Sequence, residues 1–404
     1  MADTKTVSLA LLAALALPAV AADLPAGVVA VPLVRAQALD AYYAEFQVGT
    51  PPQKEYLKVD TGSPFYSFLD PRNPMCTQAS QPCSTYGTFN NLTSSTCHYE
   101  GAYFADGLAQ RGYGDFLNDT LILGGVTMPN MYFGYTSGYS TMSYVSNPTA
   151  TILGLTLNCA VTGPQCTWAG PYLLPQMKNA SVIDIMAASF YLGLDDANAT
   201  NAMMLLGGAY DKAKVDGDLF TLNMVDPQSI YLTDSQTNYV NVTAMEVVLD
   251  GGNRTSQTYG DEGVGIPILL DTGTASWYMS DSIFQAVYQG LGGQGSGDNL
   301  NRVQVIDCLY RDPSHSKSYI SVEFGTTGKV QIPLSSLVSK FADGTCGSFI
   351  TPRGDSASTM GDTFLRGVYT IFDEENWTVT MGNVRHTAEQ QIVPFPKGGF
   401  KAKA

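Results

Sequence analysis

Charge is scarce in this chain. Only 14% of its 404 residues are Asp, Glu, Lys or Arg, against about 25% in an average soluble domain. The scarcer sign is positive: 21 Lys and Arg face 36 Asp and Glu, for a net charge of −15. With no basic patch to neutralise phosphates, nucleic-acid binding is excluded. Histidine is rarer still: His98, His315 and His386 are scattered, and no Cys-x-x-Cys pair occurs. No metal or other cofactor is therefore expected. A Gly-x-Ser-x-Gly nucleophile elbow and a phosphate-binding P-loop are also missing, which removes two large enzyme classes.

Long apolar runs are missing too. Ser8 to Val20 is the segment most like one, and it falls short of the roughly 20 residues that cross a bilayer. It follows Lys5 and ends in Ala19-Val20-Ala21, the pattern of an export signal over residues 1–21 cleaved before Ala22. The C-terminal GGFKAKA lacks the hydrophobic tail of a lipid anchor. A secreted, extracellular or vacuolar protein without a membrane anchor is expected. An acidic, lysine-poor surface suits an acidic medium, where carboxylates protonate and net charge shrinks.

What is plentiful is material for turns and strands: Gly 40, Pro 21, Tyr 23 and Phe 17, within a hydrophobic fraction of 45%. Many short strands and few amphipathic helices follow. Without the export signal about 383 residues remain, a length for two domains. Tyr42 to Val48 and Glu55 to Val59 read as strands around the Gly49-Thr50-Pro51-Pro52 turn; Leu121–Leu123 and Met203–Leu206 each run into a Gly-Gly turn. Helical spacing is confined to stretches such as Ser282–Tyr288 and Leu334–Phe341. Gly290-x-Gly292-x-x-Gly295 follows one of these and not a strand, so it reads as a glycine-rich loop and not as a dinucleotide site.

Seven cysteines in an oxidising compartment imply disulfides. Their spacing suggests Cys76–Cys83, Cys159–Cys166 and Cys308–Cys346; Cys97 is left either free and buried or as an alternative partner of Cys76 or Cys83. Sequons at Asn91, Asn118, Asn179, Asn198, Asn241, Asn253 and Asn376 are candidate glycosylation sites.

The most informative feature is an internal repeat. Leu57-Lys58-Val59-Asp60-Thr61-Gly62-Ser63 is echoed by Ile268-Leu269-Leu270-Asp271-Thr272-Gly273-Thr274. The apolar-Gly element starting at Ile152 lies 92 residues after Asp60, and the one starting at Met360 lies 89 residues after Asp271. Two copies of one lobe fit this better than a solenoid of short repeats. Lys58 is out of place in an apolar strand. Period-2 alternation puts it on the face of Asp60, near a substrate side chain, unless it snorkels out to solvent.

From Tyr42 to Asn383 the chain resembles the pepsin-like aspartic endopeptidases, closer to fungal secreted members than to vertebrate gastric ones. Besides the two Asp-Thr-Gly sites, the resemblance rests on Tyr43-x-x-Phe46-x-Val48-Gly49-Thr50-Pro51-Pro52-Gln53, on Leu205-Leu206-Gly207-Gly208, on Asp216-Gly217-Asp218-Leu219, and on the closing run from Met360 to Asp373. It implies a mostly β, two-lobed acid-protease fold with the active-site cleft between the lobes. The lobes are expected over 40–215 and 216–390, after a short segment 22–39 and before a tail 391–404.

The resemblance also implies roles. Asp60 and Asp271 would be the catalytic pair; Thr61 and Thr272 would cross-brace the lobes, Gly62 and Gly273 would permit close approach, and Ser63 and Thr274 would bond the outer carboxylate oxygens. Tyr103, Phe104, Asp106 and Gly107 would belong to the hairpin that closes over substrate. Two departures stand out: Phe104 occupies the usual tyrosine position, with Tyr103 one register away, and Ser67 replaces the tryptophan it meets. Family zymogens carry a long basic prosegment. Here the stretch between Ala22 and Tyr42 has Arg35 as its one basic residue, so a folded inhibitory prosegment is not expected. The resulting expectation is a monomeric acid endopeptidase acting on polypeptides. The alternative is a catalytically weak or inactive relative that binds protein or glycan, since fold does not fix function.

Overall fold

The computed structural model describes residues 24–36, 41–77, 83, 86–105, 112–139, 151–157, 172–193, 201–226, 238–261, 264–294, 303–341, 343–355 and 357–402. The residues 1–21 expected to be an export signal lie outside them.

Alternation builds the first hairpin. Ala41–Val48 pairs antiparallel with Gln53–Asp60, turning at Gly49, whose φ of 83° suits glycine. Phe46, Val48, Leu57 and Val59 point into the core. Asp60 ends its strand and lies opposite Gly154 of the parallel strand Ile152–Gly154. The second half repeats the arrangement: Ile266–Leu270 pairs in parallel with Thr359–Met360, Leu270 opposite Met360, and leads directly into Asp271. Each apolar-Gly element of the repeat therefore lies beside its Asp-Thr-Gly turn. The glycines are required there: a Cβ on Gly154 would lie 2.2 Å from the Phe65 carbonyl oxygen, and one on Gly361 would lie 2.0 Å from that of Thr274.

The architecture is mostly β and two-lobed, and one sheet joins the halves. Its order runs Val215–Asn223, Thr378–Val384, Val368–Asp373, Ala187–Tyr191, Met203–Leu206, Val29–Ala36, Ala41–Val48 and then Gly112–Leu123. The C-terminal lobe adds smaller sheets, including one built around Tyr239–Val242 and Ile266–Leu270. In the N-terminal lobe Phe46, Tyr66, Phe68, Phe89 and Phe133 interlock, mostly edge to face. Such pairs add about 0.5–1.5 kcal/mol each beyond area burial. In the C-terminal lobe Trp277 packs edge-on against Phe364 at 5.0 Å.

Three sequence expectations need correction. The first strand begins at Val29, within the segment 22–39 that was expected to precede all strands, and it pairs with both Met203–Leu206 and Ala41–Val48. The tail 391–404 likewise contributes Ile392–Pro394, paired with Ala209–Asp211. Both segments are too short to show a period of their own; the neighbouring strands decide. Leu334–Phe341 is not a helix. A 3-10 turn, Leu334–Leu337, gives way to the short strand Ser339–Lys340. Ser336 donates back to the Pro333 carbonyl at 2.7 Å, a local bond that competes with helix propagation. The expected helix at Ser282–Tyr288 is present as Asp281–Gly290, and the glycine-rich stretch turns the chain at its end. The helix Leu173–Asn179 was not foreseen.

Cys76–Cys83 and Cys308–Cys346 are disulfides, while Cys159 and Cys166 lie outside the described residues. Cys97 is free and half-buried, its thiol pushed up to about 12 by burial and by Asp119. Among the sequons, Asn179, Asn241, Asn253 and Asn376 are exposed, Asn91 and Asn118 are half-buried, and Asn198 lies outside the described residues.

Candidate active site

Asp60 and Asp271 leave the ends of their strands and meet where the lobes join. Each carboxylate is held by its own turn. Asp60 accepts from the Gly62 N–H at 2.8 Å and the Ser63 hydroxyl at 2.7 Å; Asp271 accepts from the Gly273 N–H at 2.7 Å and the Thr274 hydroxyl at 2.5 Å. Thr61 and Thr272 cross between the lobes. Each backbone N–H donates to the other's hydroxyl oxygen at 3.0 Å. The hydroxyls in turn donate across the junction, Thr61 to the Leu270 carbonyl at 2.9 Å and Thr272 to the Val59 carbonyl at 3.1 Å.

The two carboxylates are adjacent because no side chain intervenes. A Cβ on Gly273 would lie 2.4 Å from Cγ of Asp60, and one on Gly62 would lie 2.7 Å from Cγ of Asp271. Gly273→Ala should therefore push Asp60 off its position and lower kcat/KM by about 100-fold, the usual cost of a 1 Å misplacement. The check is to measure kcat/KM together with melting temperature; unimpaired turnover would show that the pair tolerates the methyl.

Both carboxylates are largely buried, 7% exposed for Asp60 and 8% for Asp271. Burial first, and the nearby Asp60 charge second, raise Asp271 well above the ordinary carboxylate range. Two like charges so close share a proton. The arrangement offers one acid and one base to a single bound water.

Two residues at this junction carry interactions that the sequence did not reveal. Asn238 donates from its side-chain amide to the Thr61 carbonyl at 2.9 Å, with no motif to announce it. Lys58 is half-buried, and its Nζ donates to the Gly273 carbonyl at 2.9 Å.

His98–Ala105 pairs antiparallel with Gly112–Leu123, and Tyr103 and Phe104, expected in the closing hairpin, fall at the end of the first of these strands. Phe104 pairs with Gly114, and Tyr103 falls within a register shift between Ala102 and Phe104. Asp106 and Gly107 lie outside the described residues. Ser67 is buried and its Oγ accepts from the Thr136 hydroxyl at 3.0 Å, so a tryptophan at this position would have to displace Thr136.

Comparison with known proteins agrees with this geometry. The eukaryotic aspartyl protease family matches residues 41–384. The probable aspartic-type endopeptidase opsB of Aspergillus oryzae is 26% identical over 359 residues, covering 87% of this chain and 70% of the relative. Barrierpepsin of Saccharomyces cerevisiae is 26% identical over 388 residues, 87% of this chain and 61% of the relative. Secreted aspartic protease 9 of Candida albicans is 27% identical over 328 residues, 78% of this chain and 55% of the relative. A duplicated Asp-Thr-Gly turn, paired carboxylates at a lobe junction and a match across most of the chain have one reading: the chain belongs to the eukaryotic aspartyl protease family, as a fungal pepsin-like aspartic endopeptidase.

Proposed function

We propose that the protein is a secreted acid endopeptidase that hydrolyses peptide bonds with a water activated between Asp60 and Asp271. The observation that carries the reading is the hydrogen-bonded, mutually adjacent pair. Burial and the Asp60 charge favour the shared proton on Asp271. Asp60 then acts as general base, taking a proton from water, while Asp271 donates to the scissile carbonyl oxygen. Water attacks the carbonyl carbon and a tetrahedral diol forms. Its collapse returns a proton to the leaving amine, so neither a covalent intermediate nor a metal is required.

Secretion is supported by the export-signal pattern and by relatives named as secreted proteases. The hydroxyl ligands of the pair and the crossed threonines support catalysis over the binding-only alternative, which has no use for two carboxylates held so close. The test is incubation of the purified protein with an unfolded protein across acidic pH, with and without a statine-type inhibitor. Inhibitor-sensitive cleavage at acid pH is the expected result; none at any pH would overturn the reading.

A further inference from the structure

Lys58 reaches a backbone atom of the Asp271 turn, the Gly273 carbonyl. It leaves the strand Gln53–Asp60 two residues before its end, opposite Tyr43 of the neighbouring strand, and crosses to the Asp271 turn. Its target is chosen tightly: the Gly273 carbonyl belongs to the peptide that continues into Thr274, and both residues hold the Asp271 carboxylate. We propose that Lys58 is a positioning residue of the protease, tying the first lobe to the Gly273–Thr274 peptide and keeping a positive charge beside the carboxylate pair. The proposal rests on the endopeptidase reading and adds to it a residue that acts through the turn holding Asp271.

The surroundings make that charge count. Asp60 shares the strand with Lys58, and Asp271 stands across the junction. The segment after Met360 brings Asp362, fully buried, with neither carboxyl oxygen hydrogen-bonded among the described residues. Arg366 of the same segment and Arg35 of Val29–Ala36 face Asp362 with Lys58. The tyrosines that face this cluster, Tyr42 and Tyr43 beside it and Tyr239 beside Asp271, are raised by burial and stay neutral. Asp271 and Asp362 are therefore the titratable groups on which the Lys58 charge acts. Its charge acts to hold down the proton affinity of both Asp271 and Asp362.

The sign of the consequence is fixed. A neighbouring cation favours ionised carboxylates, so removing it must move the limb of the activity profile set by Asp271 to higher pH. Lys58→Met, which keeps the aliphatic stem, should shift the kcat/KM profile upward by about 0.5–1 pH unit with KM little changed. Lys58→Gln should show the same shift while keeping an N–H donor for Gly273, and so should lose less stability. A parallel titration of the Asp271 carboxyl by carbon NMR should move in the same direction.

Profiles and titrations unmoved in both variants would overturn the proposal, as would a rise in KM alone, which would put Lys58 among the substrate contacts. If Lys58→Met does not fold, Lys58→Gln and the carboxyl titration decide. An inactive wild-type protein would sink the endopeptidase reading, and the titration would still decide whether Lys58 acts on the carboxylate pair.

Discussion

Replacing Asp271 with Asn should reduce kcat/KM on an unfolded protein by at least about 1000-fold, the scale of losing a positioned acid or base. Asn has no acidic proton to give to the scissile carbonyl, and Asp60 then has no partner with which to share one. The substitution is nearly isosteric. Its amide oxygen can still accept from the Gly273 N–H, and the Thr274 hydroxyl can turn to accept from the new amide hydrogens. The fold should survive, with a melting temperature at pH 5 close to that of the parent. Asp60→Asn should behave alike, because the two carboxylates act as a unit and neither can do both jobs. Residual turnover within tenfold of the parent in either variant would refute the two-carboxylate mechanism.

Raising the pH from 5 to 8 should destabilise the protein, apart from any effect on activity. Glu55 is buried and raised by that burial despite accepting from the Leu69 N–H and the Thr151 hydroxyl. Asp362 is raised for the same first reason. A carboxyl raised in the folded state keeps its proton while the unfolded chain loses one near pH 4, so stability falls as pH climbs toward the folded value. Each such group costs up to about 1.4 kcal/mol per pH unit.

His386 works in the opposite direction. Burial, with Lys214 and Arg366, lowers it to about 4. Below its unfolded value near 6.5 only the unfolded chain gains the proton, so acidification to pH 4 costs stability. Two carboxyls outweigh one imidazole between pH 4 and 6.5, and above that range the opposing contribution is gone. The decline should therefore steepen beyond about pH 6.5. Melting temperatures at half-unit steps would show it, and Glu55→Gln should flatten the slope while keeping an acceptor for Leu69. A melting temperature that is flat or rising over this range would contradict the account.

The geometry of the candidate site was legible in the sequence because it is written locally. Asp60-Thr61-Gly62-Ser63 and Asp271-Thr272-Gly273-Thr274 each encode a turn whose own N–H and hydroxyl groups hold the carboxylate, and the duplication announces the pairing. What escaped depends on residues far apart. Asn238 meets Thr61 and Lys58 meets Gly273 only after the lobes close, so neither leaves a local pattern. The terminal strands escaped for a related reason: Val29–Ala36 contains a proline, yet its place beside Met203–Leu206 and Ala41–Val48 makes it a strand. At Leu334–Phe341 apolar spacing suggested a helix, but Ser339 is fully buried and receives the guanidinium of Arg366. Burying that bond outweighed helical spacing.

The crossed threonine bonds also bear on how the molecule comes into being. Thr61 reaches Leu270 and Thr272 reaches Val59, so neither half can complete its own catalytic turn. The sheet that unites them places Val368–Asp373 against Ala187–Tyr191, and Ile392–Pro394 closes onto Ala209–Asp211. Contacts between residues this distant in sequence make folding slow. Hydrolytic power thus arrives only after nearly the whole chain has been placed. Until then each molecule is an unfolded polypeptide, the kind of substrate that the proposed activity of its finished siblings would cleave.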